Sequence, residues 1–166
     1  MAVESQKFDK SRYQIIPRVL IFATRGDFVL LIKGSPTKKV WPDLYNGIGG
    51  HIEQNESVLA AAHREFEEET GLELVDPHLA AVVMIDTQDN PGIGMYVFKA
   101  QTGPGDPTPS NEGILEWVDS ETLSQIPLVE DLPILLPVIL HWQPENPTIF
   151  CQYSYSMNNE LIMRFE

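Results

Sequence analysis

Apolar and polar positions divide the chain into short strands and two helices. Residues 15–23 are apolar and rich in β-branched side chains, and residues 28–33 repeat the pattern. Arg25-Gly26-Asp27 between them predicts a β-hairpin with a tight turn. Residues 34–46, punctuated by Pro36 and Pro42, predict a loop that leads into a glycine cluster, Gly47-Ile48-Gly49-Gly50. Three consecutive alanines and many glutamates make residues 56–70 the clearest helix, with Gly71 as its C-cap. Strands are expected over 79–85 and 93–99, around an Asp89-Asn90-Pro91-Gly92 turn, and over 114–118 after an irregular loop at 103–110. Asp119 or Ser120 caps a short helix that stops before Pro127. Residues 131–141 predict a second helix, with Pro133 in its first turn and a kink or interruption at Pro137. Residues 149–165 read as a terminal hairpin turning at Met157-Asn158-Asn159. Its apolar residues need a partner, either this chain's own sheet or a second subunit in a homodimer. Strands and helices mix without regular βα alternation, so the expected fold is α/β, one mixed sheet covered by helices.

Composition narrows the class. A chain of 166 residues fits one domain over 1–166, with residues 1–10 as a loose tail. An apolar content of 43% is too high for a disordered chain, and no apolar stretch is long enough to span a membrane. Lys and Arg number 11 against 24 Asp and Glu, a net charge of -13. That balance argues against a nucleic-acid polymer as partner, because such binding rests on cations that neutralise phosphates. A small phosphorylated ligand stays open, since a bound divalent cation reverses the local sign. Cys151 is the only cysteine, so there is no internal disulfide and no thiolate metal cluster. The first residues lack the apolar run of a secretory signal, and a cytoplasmic location is expected.

The acidic residues of the first helix are not scattered. Glu65, Glu68 and Glu69 stand at i, i+3 and i+4 and share one side, next to an apolar stripe of Leu59, Ala62 and Phe66. Like charges so close are unfavourable without a counter-charge, and Mg²⁺ suits carboxylates, water and substrate phosphates. Two readings follow, a solvated acidic face or a cation site.

Residues 50–72 resemble the Nudix box: Gly, five residues, Glu, seven residues, Arg-Glu, a bulky apolar residue, any residue, Glu-Glu, any residue, Gly and an apolar residue. Gly50, Glu56, Arg64, Glu65, Phe66, Glu68, Glu69, Gly71 and Leu72 fill the specified places. The resemblance implies a Nudix-type α/β/α sandwich, with Mg²⁺ as cofactor and Mn²⁺ as a substitute. It implies that Glu65, Glu68 and Glu69 bind the metal, that Arg64 holds the glutamates, that Glu56 braces the junction of loop and helix, and that the Gly50 carbonyl is a ligand. Glu112, five residues before Trp117, resembles the glutamate that reaches the metal from an opposite loop in MutT-type members, as a ligand or as a general base.

Among cations, Lys33 is the preferred phosphate contact, and Lys38 and Lys39 in the next loop are further candidates. The run Asn46-Gly47-Ile48-Gly49-Gly50 resembles the oxidised purine nucleoside triphosphatases, where the asparagine reads the base. Its amide can pair with donor and acceptor alike, or Asn46 serves only the turn. Asp131 stands near that subgroup's paired aspartates, while Leu132 replaces its tryptophan. Phe28, Trp41, Tyr45 and Trp117 are candidate stacking residues. The expected activity is Mg²⁺-dependent hydrolysis of a nucleoside triphosphate, with a modified purine base, to monophosphate and pyrophosphate. The alternatives are hydrolysis of another nucleoside diphosphate derivative, a sugar or a dinucleotide, and a catalytically silent nucleotide-binding module.

Overall fold

The computed structural model describes residues 11–37, 39–108 and 112–166. Strands β1 (Ile15–Arg25) and β2 (Phe28–Gly34) form the expected hairpin, but they pair only near its turn, at Thr24–Val29 and Arg25–Phe28. Beyond that point they diverge. β2 pairs with the two-residue β3 (Tyr45–Asn46) and with β6 (Gly113–Asp119). The edge of β1 that β2 leaves open is closed by the glycine-rich loop: Val19 donates to the Gly50 carbonyl at 2.9 Å, and Ile21 and Ile48 exchange backbone bonds at 2.7 and 3.1 Å. Backbone groups of a buried strand need such partners, and the loop supplies them.

On its other side β1 runs parallel to β5 (Gly92–Thr102), which is antiparallel to β4 (Leu74–Ile85). β4 starts earlier than the pattern predicts, because it passes through register shifts at Val75/His78 and Leu79/Ala81. Asp76 there has φ 51, and Asp76-Pro77 reads as a break in the sequence although the strand continues through it. β7 (Ile149–Tyr155) adds parallel to β4, and β8 (Leu161–Phe165) closes the edge. The terminal hairpin therefore completes this chain's own sheet, and the eight strands form one mixed sheet.

The sheet is covered on both faces. Helix α1 (Val58–Thr70) buries Ala61, Ala62 and Phe66 against Val19, Ile21 and Phe98. Helix α2 (Leu132–His141) buries Leu132, Leu135, Leu136 and Ile139 against Leu20, Phe22, Val83 and Val97. The result is the expected α/β/α sandwich. α1 begins two residues later than the pattern predicts, because Ser57 caps it by accepting from the Ala60 N–H at 3.1 Å; Gly71 ends it at φ 69. Leu59 lies in its first turn and is exposed, so the buried stripe consists of Ala61, Ala62, Phe66 and Thr70.

The interruption expected at Pro137 does not occur. α2 runs through it, and the ring sits on the exposed side while the neighbouring leucines hold the sheet. At its end Lys99 donates from Nζ to the carbonyls of Leu140 and Trp142, at 2.6 and 2.7 Å, which satisfies groups that a helix terminus leaves open. The short helix after Asp119 is a 3₁₀ turn, Ser120–Gln125. Among the described residues no helix is long and apolar enough to cross a membrane.

Candidate active site

The loop and first helix of the box are tied together by one side chain. Arg64 donates from Nε to Glu56 Oε1 at 2.8 Å and from Nη2 to Glu56 Oε2 at 2.9 Å, a bidentate clasp. Its Nη1 donates to Glu65 Oε1 at 2.9 Å and to Glu68 Oε2 at 3.2 Å, and its Nη2 also donates to the His51 carbonyl at 3.0 Å. Glu56 in turn accepts from the Glu53 N–H at 3.0 Å. The Arg64 guanidinium, with that N–H, holds the Glu56 carboxyl at about 2, and Glu56 raises the guanidinium further. Arg64 thus gathers loop, helix and two of the three helix carboxylates. Glu56 lies outside the helix and braces its junction with the loop.

Glu65 and Glu69, one turn apart on α1, are half-buried at the edge of its packed face, and Glu68 is exposed. Gly50 lies directly against Glu65: a Cβ there would meet both carboxylate oxygens at 2.5 Å. At Gly49 a Cβ would run into the Val19 carbonyl. The Gly50 carbonyl already accepts from Val19, which leaves one of its two lone pairs. The donor set of carboxylates and a carbonyl consists of hard oxygens and fits Mg²⁺ in kind. Among the described residues, however, no three His, Cys, Asp or Glu side chains stand close enough together to hold a metal ion. Glu112 is exposed in the turn before β6.

A cavity of ≈ 160 Å³ opens beside this cluster. Asn46, Gly49, Gly50 and Asp131, all expected to meet substrate, line it together with Trp41. Asn46 accepts the Gly47 N–H on its own Oδ1 at 2.8 Å, which leaves its amide N–H donors and one lone pair of that oxygen for a ligand. The sheet forms part of the wall through Ile85, Ile93 and Met95. Burial pushes the Asp131 carboxyl up, and Tyr155, also in the lining, donates to Glu130 Oε1 at 2.7 Å.

Lys33 and Lys39 are not in this lining. Lys33 Nζ stands 5.6 Å from the centre of the Tyr45 ring, whose hydroxyl donates to Glu116 at 2.8 Å, and Lys39 is exposed. Lys38 lies outside the described residues. Of the other aromatic candidates, Trp117 stacks under the Arg25 guanidinium at 4.6 Å, and Phe28 borders a separate hollow. That hollow, ≈ 700 Å³ between the β1–β2 turn, the 3₁₀ turn and α2, holds none of the box residues.

Arg18, Tyr153 and Tyr155 in the cavity wall escaped the reading of the sequence. A signal for two of them was present. Strand alternation puts Arg18 in phase with Leu20 and Phe22, and Tyr153 in phase with Cys151, all on the face that α2 covers. A charged residue in phase with a core face marks a cavity or a partner.

Residues 13–139 match the NUDIX domain family. The chain is 33% identical over 118 residues to an uncharacterized Nudix hydrolase, YvcI, of Bacillus subtilis, which covers 68% of this chain and 72% of that protein. It is 30% identical over 101 residues to the oxidized purine nucleoside triphosphate hydrolase of Mus musculus, 60% of each chain. The crystal structure of a MutT protein from Bacillus halodurans superposes with a TM-score of 0.77 over 92% of this chain and 98% of that one, at 23% identity. The chain belongs to the Nudix family, and that membership implies a pyrophosphohydrolase acting on a nucleotide-like substrate.

Proposed function

We propose that the protein is an Mg²⁺-dependent nucleoside triphosphate pyrophosphohydrolase that accepts a modified purine base. The observation that carries this reading is the junction at Gly50. The same residue lines the ≈ 160 Å³ cavity and lies against the Glu65 carboxylate, so a ligand seated there extends toward the acids that Arg64 gathers. Ligand clefts usually enclose about 300–1,000 Å³. The smaller cavity accommodates one flat ring system, with the sugar and phosphates outside it, and this favours a single base over a dinucleotide.

On this reading Glu65, Glu68 and Glu69, with the Gly50 carbonyl, would have to draw together around the metal, since among the described residues the three carboxylates do not stand close enough to hold it. When bound, Mg²⁺ supplies positive charge against the polyphosphate and acidifies water. Arg64 orients Glu65 and Glu68 and keeps their repulsion compensated. Glu112 serves as a further ligand or as the base that takes the proton from water. Lys33 and Lys39, which stand outside the base cavity, would contact phosphate oxygens. Water attack at the α or β phosphorus places its oxygen on one product and expels the other, giving monophosphate and pyrophosphate.

Hydrolysis of a nucleotide panel in heavy-oxygen water, with every product identified, tests the proposal. The expected products are a nucleoside monophosphate and pyrophosphate, with the label on one of them. Cleavage of a nucleotide sugar or dinucleotide, with every triphosphate returned intact, rejects it.

A further inference from the structure

The outer strands of the sheet are finished in different ways. At one end Tyr45 of β3 exchanges backbone bonds with the segment before α2: its N–H donates to the Pro127 carbonyl at 2.8 Å, and its carbonyl accepts from the Val129 N–H at 3.0 Å. β6, which pairs with β2, carries Glu116 and Asp119, and charges of this kind discourage further pairing. At the other end β8 covers β7 and, among the described residues, pairs with nothing else. Its sequence, Leu161-Ile162-Met163-Arg164-Phe165, holds one charge and no proline or glycine. Ile162 and Phe165 are 37% and 40% exposed. An apolar outer strand with so little to blunt it is a template for another strand.

The ladder to β7 fixes which backbone groups of β8 are left over. The Glu166 N–H donates to the Phe150 carbonyl at 2.8 Å, and the Ser156 N–H donates to the Glu160 carbonyl at 2.9 Å. Bonded and non-bonded pairs alternate along an antiparallel ladder, so Ile162 and Arg164 also turn their backbone groups toward β7. Leu161, Met163 and Phe165 turn theirs outward, where no other strand of the described residues meets them. Side chains alternate in the same phase. Leu161 and Met163 pack against the α2 core, while Ile162 and Arg164 stand on the opposite face, with Glu160 two residues before Ile162.

We propose that β8 pairs antiparallel with β8 of a second copy of this chain, centred on Ile162, so that the sheet continues across a symmetric dimer. In such a pairing residue i meets j, and j meets i. About Ile162, Leu161 meets the partner's Met163, and the outward backbone groups of both fall in the bonded positions. Glu160 meets the partner's Arg164, and by symmetry each contact occurs twice. The opposite charges stand in the non-bonded pairs, where side chains are closest, and opposite charges directly across favour a strand pair. Other registers lose this match. Centred on Met163, the strands set Glu160 against the partner's Glu166; centred on Arg164, they set two arginines against each other. The charges therefore select the register, and because both copies of β8 are consumed, assembly through this edge stops at two.

Sedimentation velocity over a concentration series tests the pairing, for the wild type, Glu160→Arg, Arg164→Glu and the protein carrying both changes, with circular dichroism of each as a check on the fold. Glu160 and Arg164 are both exposed, so reversing them leaves the core intact. The wild type is expected to be a dimer that dissociates on dilution. Either single reversal sets like charges across the strands twice and should weaken association about tenfold, and the double reversal should restore it. A wild type that stays monomeric at every concentration, or that grows beyond two copies, overturns the inference. So does a dimer that a single reversal leaves at full strength, or one that the double reversal fails to restore, since Glu160 and Arg164 would then not face each other. Amide hydrogen exchange of the wild type, read by NMR, needs no variant. The Leu161 and Met163 amides should slow as concentration rises, and exchange there that ignores concentration overturns the inference as well. Neither measurement needs turnover, so the pairing stands or falls apart from the proposed function.

Discussion

Arg64 clasps Glu56 through two parallel hydrogen bonds of 2.8 and 2.9 Å, so the best-paired carboxylate of the box is one that stands outside its helix. The clasp leaves Nη1 for Glu65 and Glu68, and it fixes where α1 starts relative to the glycine loop. Helix position and acid position are thereby set by the same guanidinium.

Acid should expose this clasp. The Glu56 carboxyl is depressed from 4.5 to about 2, first by the Arg64 hydrogen bonds. A group whose pKa is lower in the folded state contributes stability above its unfolded value and loses it as pH falls through the folded one. Urea unfolding followed from pH 5 down to pH 2 should show the wild type losing stability over that window. The same curve for Glu56→Gln should be flatter, starting from a less stable protein. Parallel curves would contradict the pairing.

At Gly50 the constraint is steric. Alanine there would set its Cβ 2.5 Å from the Glu65 carboxylate oxygens and displace one or the other. Displacements near 1 Å at a reacting centre can cost about a hundredfold in rate. Gly50→Ala should lower kcat/KM by about that factor with a near-normal melting curve, measured by steady-state kinetics and calorimetry. Full activity would show that Glu65 can move freely.

Away from the site, Lys99 closes the end of α2 through the carbonyls of Leu140 and Trp142. Lys99→Met keeps the stem and removes the donors, leaving those carbonyls without this partner. Denaturant unfolding should show a loss of about 1–3 kcal/mol with substrate affinity unchanged. An unchanged midpoint would mean that water replaces the ammonium fully.

These predictions depend unevenly on what the sequence makes legible. The first hairpin, α1 with its Gly71 cap and the acids of the box could be read because local pattern and fixed spacing specify them. The two-residue β3 has no pattern to read, and the bulged start of β4 is hidden by Asp76-Pro77. Helix α2 survives Pro137 because burial of Leu132, Leu135, Leu136 and Ile139 outweighs one missing backbone donor. Asn46 and Asp131 could be named from resemblance. Arg18 and Tyr153 meet them only through the order β1-β5-β4-β7, which no local pattern announces.

The central claim is that the acids of α1 support Mg²⁺-dependent hydrolysis of a triphosphate. Its most direct test is the initial rate of monophosphate release from purine nucleoside triphosphates across an Mg²⁺ titration, for the wild type and Glu69→Gln. The wild type should turn over with saturable dependence on Mg²⁺, and Glu69→Gln should lose that turnover while keeping its melting temperature. Metal-independent release by the wild type, or an undiminished rate in Glu69→Gln, would contradict the account.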